Sequence, residues 1–157
     1  MPTTLLLGAS RGIGLELARQ AVAAGERVIA TARSDDGLAT LRELGCQVLK
    51  LDVANPASVS GLAWQLDGEK IDTAWHVAGV MCSRADATQP PTQQDFDRVM
   101  HANVLGAMQV IPQVAPLVEA AQGRFAFLSS VMGQIGSAAG SNAWLYRVSK
   151  TALNMAV

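Results

Sequence analysis

The chain has 157 residues, with 12 Lys+Arg against 13 Asp+Glu for a formal charge of −1, and half of it is hydrophobic. Charged residues at 16% exclude the disordered class, and a near-neutral balance without a Lys/Arg run argues against nucleic-acid or membrane-surface partners. A chain of this length buries roughly 70% of the surface its unfolded form exposes, so its core needs no disulfide or metal staple. Cys46 and Cys82 stand far apart, outside any metal-ligand spacing, and read as inert thiols of a reducing compartment. The N-terminus lacks a charged region ahead of a long apolar one, and no 18 apolar residues run together, so the expected location is cytoplasmic.

Short runs rich in Val, Ile and Leu recur at Thr3–Gly8, Arg27–Ala32, Cys46–Leu51, Ile71–Ala78 and Arg124–Ser129. They are continuous rather than alternating, as strands of a parallel sheet covered on both faces must be. Between them the spacing predicts helices near Gly12–Ala24, Asp36–Leu44, Pro56–Leu66 and Thr92–Ala121, and a last one opening around Trp144. The implied layout is a single doubly wound, Rossmann-type α/β domain over 1–157. In the long helix Phe96, Val99, Met100, Asn103, Val104, Ala107, Met108 and Ile111 form one stripe at helical spacing, and Pro112 and Pro116 are expected to kink or end it. Asn103 is the one polar member. A buried amide needs partners, so it is either a packing compromise or a positioned functional group.

Gly8-Ala9-Ser10-Arg11-Gly12-Ile13-Gly14 follows the first strand directly and opens a helix. Glycine lets the backbone turn tightly and approach a pyrophosphate, while the free N–H groups and dipole of the new helix attract anionic oxygens. Strand, glycine turn and helix coincide at the start of a βαβ chain, which points to dinucleotide binding over an ordinary tight turn.

The spacing Gly-x-x-x-Gly-x-Gly, with Tyr146-Arg-Val-Ser-Lys150 downstream, resembles the short-chain dehydrogenase/reductase family. The resemblance covers the whole chain. In order it includes the glycine loop, Leu51-Asp52-Val53, Val77-Ala78-Gly79, Asn103, Ser129-Ser130, and then Tyr146 and Lys150. The longer Gly/Ser segment from Gly133 to Ser141, read as a mobile loop shaping the substrate pocket with Val80–Pro91, is similar to that of the C-factor-like subgroup.

A Tyr and a Lys four residues apart on a helix share one face. A free phenol holds its proton too tightly for exchange at neutral pH, and a neighbouring ammonium favours its release. Tyr146 is therefore the candidate general acid/base, tuned by Lys150. The resemblance further implies that Lys150 holds the nicotinamide ribose, that Ser130 rather than Ser129 hydrogen-bonds the substrate oxygen, and that Asn103 anchors a water-linked proton path to Lys150. It implies coenzyme contacts at Gly8, Ser10, Arg11, Gly12, Ile13, Gly14, Arg33, Asp52, Val53, Ala78, Gly79, Tyr146 and Lys150. About 20 residues beyond the glycine turn an NAD-specific fold places an acid. Here Ala32 stands there, followed by Arg33, and with Arg11 it offers two guanidiniums to a 2′-phosphate, so NADP(H) is the expected coenzyme; Asp35 or Asp36 swinging in would serve NAD instead.

Two positions depart from the pattern. Leu7 replaces a Thr and His76-Val77 replaces Asn-Asn, with Leu7 and Val77 read as apolar replacements for both partners of one buried hydrogen bond. His76, and likewise His101, read as satisfied structural histidines. The resulting expectation is an NADP-dependent oxidoreductase interconverting a carbonyl and a secondary alcohol, acting on a small molecule. The rival is a dinucleotide-binding regulatory protein on the same scaffold with vestigial catalysis. Five strands are legible where the family has seven, and an apolar helical face runs to Val157 without a stop signal, so further residues are expected. A homodimer or homotetramer is also expected, through Val110, Val114, Leu117 and Val118 on one helix and Leu145, Val148 and Leu153 on the other.

Overall fold

All five apolar runs pair in parallel, as β1 (Thr3–Leu7), β2 (Arg27–Ala32), β3 (Gln47–Lys50), β4 (Thr73–His76) and β5 (Arg124–Phe127). The computed structural model describes residues 1–81 and 88–157 and orders these strands β3-β2-β1-β4-β5. Every residue of the central strand β1 is buried, so alternate side chains feed two separate cores. Leu5 and Leu7 join Ile29, Ala74, Val110 and Val114 on one face. Leu6 joins Ala18, Val28, Ala30 and Leu41 on the other. Each such leucine removed from water contributes about 1.5–3 kcal/mol, which is why β1 tolerates no polar alternation.

The strand order reverses at β1: the chain first adds β2 and β3 to one side, then returns to add β4 and β5 to the other. A crevice necessarily opens at the C-terminal ends of β1 and β4, and in open α/β sheets that is where ligands bind.

Among the described residues seven α-helices flank the sheet: α1 (Gly12–Ala23), α2 (Asp35–Glu43), α3 (Pro56–Ser60), α4 (Leu62–Gln65), α5 (Gln93–Met100), α6 (Gly106–Ala120) and α7 (Trp144–Ala156). Ser34 caps α2 by accepting from the Gly37 N–H, Asn55 caps α3 from Ala57, and Thr92 caps α5 from Asp95. The predicted helix over Pro56–Leu66 divides at Gly61, which caps the end of α3 and the start of α4.

The long helix departs further from expectation. Between α5 and α6 lies a π turn, His101–Leu105, whose wider winding inserts an extra residue and rotates the buried face. Val99, Ala102, Asn103, Gly106, Ala107, Val110, Val114 and Val118 are the buried positions, whereas Phe96 and Met108 of the expected stripe are 44% and 54% exposed. Pro112 and Pro116 do not end the helix, which runs on to Ala120; both prolines are solvent-exposed, where water can satisfy the carbonyls they leave unpaired.

The apolar residues expected to carry self-association are also reassigned. Val110, Val114, Val118, Leu145 and Leu153 are buried within the subunit and Leu117 packs against its core, leaving only Val148 of that set substantially exposed, at 48%. Cys46 is buried and burial pushes its thiol pKa up, as an inert thiol should behave; Cys82 lies outside the described residues, as does part of the Val80–Pro91 segment.

Candidate active site

A groove of about 380 Å³ runs along the crevice at the switch point. One end is lined by Gly8, Ser10, Arg11, Gly12, Ile13, Ala32 and Arg33, its middle by Asp52, Val53, Ala78 and Gly79, and its far end by Leu128, Ser129, Tyr146 and Lys150. Of the thirteen expected coenzyme residues, Gly14 alone is not on the wall.

The glycines divide the work. Gly8 has φ +92°, and a Cβ there would lie 2.8 Å from the Ala78 backbone, so strand β1 can approach the β4 connection only with glycine at this position. At Gly14 a Cβ would stand 2.3 Å from the Gly8 carbonyl oxygen, so this glycine packs helix against strand. Gly12 is the opposite case. Its φ is +55°, nothing lies within 4 Å of where a Cβ would be, and it lines the groove: the missing side chain leaves open space for a ligand. α1 begins there without any side-chain cap, leaving its first N–H groups directed at that space. A helix N-terminus with free donors, facing a cradle that a Cβ would fill, fits a pyrophosphate. Thr31, which the sequence reading missed, fixes the turn by accepting the Gly8 N–H at 3.0 Å.

At the far end the work is done by buried side chains. Asn103, 1% exposed on the π turn, accepts the Val80 N–H at 2.7 Å and donates to the Val80 carbonyl and to Ser149 Oγ, each at 2.9 Å. Its amide is thus occupied in clamping the segment after β4 to α7. Ser149 passes the link on, donating to the Tyr146 carbonyl at 2.8 Å. Lys150 is buried, donates to the Leu128 carbonyl at 2.8 Å, and its Nζ stands 5.7 Å from the centre of the Tyr146 ring. Burial lowers its pKa. Gly79 fits between the two, since a Cβ there would meet Asn103 Oδ1 at 3.2 Å and Lys150 Nζ at 3.6 Å. α7 starts from Ala143, a buried alanine held at φ +52°, a strained left-handed geometry that aims the Tyr-bearing turn into the groove.

The paired serines separate. Ser129 lines the groove, and its Oγ donates to Asn154 at 2.5 Å; Ser130 caps the turn Val131–Gly133, accepting the Met132 N–H at 3.1 Å. Tyr146 and Lys150 therefore share the groove with the glycine loop, whereas neither Ser130 nor Asn103 is on its wall.

The two departures from the motif also resolve. Leu7 and His76 are register partners, while Val77, which lines the groove, meets Leu7 through the backbone, its N–H donating to the Leu7 carbonyl at 2.9 Å. His76 is not the satisfied histidine expected: it is 1% exposed, stacks on Phe127 with ring centres 5.5 Å apart, and neither ring nitrogen has a partner among the described residues. Burial, and secondarily the Lys150 charge, push its pKa down to about 4, so the ring is neutral over the physiological range. His101 is exposed on the π turn and lines a side cleft of the groove. Among the described residues no helix is long and apolar enough to cross a membrane, and no group of His, Cys, Asp and Glu could hold a metal ion.

Comparison with known proteins agrees with this geometry. The family model for short chain dehydrogenases matches residues 2–157. The chain is 34% identical over 161 residues to the 1-hydroxy-2-glutathionyl-2-methyl-3-butene dehydrogenase of Rhodococcus sp. (strain AD45), covering 99% of this chain and 68% of that one. Among solved structures, the RhlG/NADP active-site complex of Pseudomonas aeruginosa superposes with a TM-score of 0.86 at 30% identity, over 98% of this chain and 63% of that one. A carbonyl reductase of Pseudomonas aeruginosa PAO1 in complex with NADP gives 0.84 at 26% identity, over 99% and 73%.

Proposed function

Because this chain belongs to the short-chain dehydrogenase family, we propose that it is an NADP(H)-dependent oxidoreductase interconverting a carbonyl and a secondary alcohol on a small molecule. The observation that carries this reading is one groove holding the glycine loop and Arg33 at one end and Tyr146 beside Lys150 at the other. The coenzyme, when bound, supplies or accepts the hydride. The chain's residues do the rest.

Free N–H groups of α1 and the open space at Gly12 receive the pyrophosphate, and Arg11 and Arg33 receive the 2′-phosphate, for which a planar guanidinium is the suited partner. Neither carries an ion pair with any described residue. NADP in the two structural relatives supports the same choice. Tyr146 gives its hydroxyl proton to the carbonyl oxygen in reduction and takes it back in oxidation. Lys150, held at the Leu128 carbonyl, keeps a positive charge beside the ring that stabilises the phenolate as it forms. Ser130 is assigned to the substrate oxygen; its hydroxyl accepts the Met132 N–H and keeps its own proton to donate to that oxygen. Asn103 acts through position, holding Val80 and Ser149 so that α7 keeps its pose.

The reading includes a homo-oligomer. The large apolar side chains left exposed on α5, α6 and α7 are Phe96, Met108, Val148 and Met155, and light scattering of the full-length protein at micromolar concentration is expected to give a mass above the monomer. The central test is a panel of ketones and aldehydes with NADPH or NADH, followed by loss of nicotinamide absorbance. Turnover with NADPH preferred is expected, and Ala32→Asp with Arg33→Ser is expected to reverse the preference. Tighter binding of NADH by the unmodified protein would overturn the coenzyme assignment.

A further inference from the structure

A second cleft, about 470 Å³, opens off the groove on the side away from Tyr146. Arg11 and Arg33 form one wall, from the connections that follow β1 and β2. Arg98 of α5 and His101 of the π turn form the opposite wall. Among the described residues no carboxylate lines this cleft. Three guanidiniums lining one space, of which only Arg98 has an ion-pair partner among the described residues, repel each other, and an anion placed between them removes that repulsion. Arg98 is available for the purpose: its partner, Asp95, lies 3.3 Å away on the same helix, and both side chains are 48% exposed. Exposed pairs of this kind are worth little and exchange readily.

The position of the cleft identifies the anion. It shares Arg11, Arg33, Gly79, Val80, Met81 and Ala102 with the main groove, whereas Tyr146 and Lys150 line the groove alone. The reacting end of a substrate belongs beside Tyr146, which does not line the cleft, whereas the reading above already assigns the adenosine 2′-phosphate to Arg11 and Arg33, which do. We propose that Arg98 is a third guanidinium of the 2′-phosphate site, reaching across from the α5 wall to close the adenine end of the coenzyme, with His101 beside it as a further N–H donor. This rests on the NADP(H) reading above and adds a specificity-determining residue from an element that the glycine-loop motif does not include. A phosphate monoester has three acceptor oxygens, and guanidiniums on opposite walls can bond different ones at once.

The test is calorimetric binding of adenosine 2′,5′-bisphosphate and of AMP to the full-length protein, without turnover. The unmodified protein is expected to bind the bisphosphate more tightly. Arg98→Gln is expected to weaken the bisphosphate about five- to tenfold and AMP less than about twofold, with a shallower salt dependence. Arg98→Lys should recover part of the loss, because it restores the charge but not the fork. Asp95→Asn, which frees Arg98, should bind the bisphosphate at least as tightly as the unmodified protein. Unchanged bisphosphate affinity in Arg98→Gln, alongside a loss in Arg33→Gln, would overturn the role of Arg98 and leave the NADP(H) reading standing. Equal losses for both ligands in Arg98→Gln would likewise overturn it, as a change in the fold of α5. An unmodified protein that binds AMP as tightly as the bisphosphate would overturn both.

Discussion

At the β1–α1 end of the groove the working surface is backbone, whereas at the α7 end it is a set of buried polar side chains. The first end functions by what is missing: Gly12 contributes empty space and α1 contributes N–H groups that no side chain caps. The second functions by what is present and satisfied, with Asn103, Ser149 and Lys150 each hydrogen-bonded inside the protein. A backbone site tolerates little because any added atom collides. A buried polar site tolerates little because any removed atom orphans a partner. Substitutions at the two ends should therefore fail in different ways.

The largest effect is expected at the reacting group. Tyr146→Phe keeps the ring and its contact with the Lys150 charge but has no proton to transfer. Turnover on the best substrate should fall by at least about 10²–10⁴-fold, while coenzyme affinity measured by fluorescence titration stays within about twofold. Retained turnover would break the assignment of chemistry to this end.

The next effect is on stability, and it is pH-dependent. The His76 ring stays neutral in the folded protein down to about pH 4 but takes up a proton near pH 6.5 once unfolded. Between those values the unfolded chain binds more protons, so the contribution is complete above about pH 6.5 and is lost as pH falls toward 4. Urea unfolding should show about 2 kcal/mol less stability at pH 5 than at pH 7 from this group, rising to about 3 kcal/mol near pH 4. His76→Phe should lack that component, and an identical acid slope in the two proteins would count against it.

Two glycines sharpen the contrast within the backbone end. Gly14→Ala drives a Cβ onto the Gly8 carbonyl and should cost about 1–3 kcal/mol in urea unfolding. Gly12→Ala meets no protein atom and should cost only about 1 kcal/mol for its left-handed φ, yet weaken coenzyme binding about tenfold because the methyl occupies the cradle. If Gly12→Ala bound coenzyme normally, the cradle would lie elsewhere. The smallest effect is expected at Ser149→Ala, which leaves one Asn103 donor without its partner and should lower stability by about 1 kcal/mol in thermal unfolding.

The sequence by itself determined the sheet, the glycine loop and the Tyr146–Lys150 pair. Five continuous apolar runs call for a parallel sheet covered on both faces, a glycine turn between strand and helix marks the loop, and a four-residue helical spacing places two side chains on one face whatever the tertiary context. Only the tertiary structure decided the rest. The π turn at His101–Leu105 changes which residues of a helical stripe face inward, and its extra residue has no signature in a 3.6 period. Val110 and Leu153 look the same in sequence whether they cover a core or a partner; their burial depends on which element lies opposite. The neighbour of Leu7 was settled by strand register, which pairs it with His76. The wall on which Arg98 meets Arg11 and Arg33 depends on how α5 and the β2–α2 connection approach across the groove, a distance that nothing in the intervening chain encodes locally.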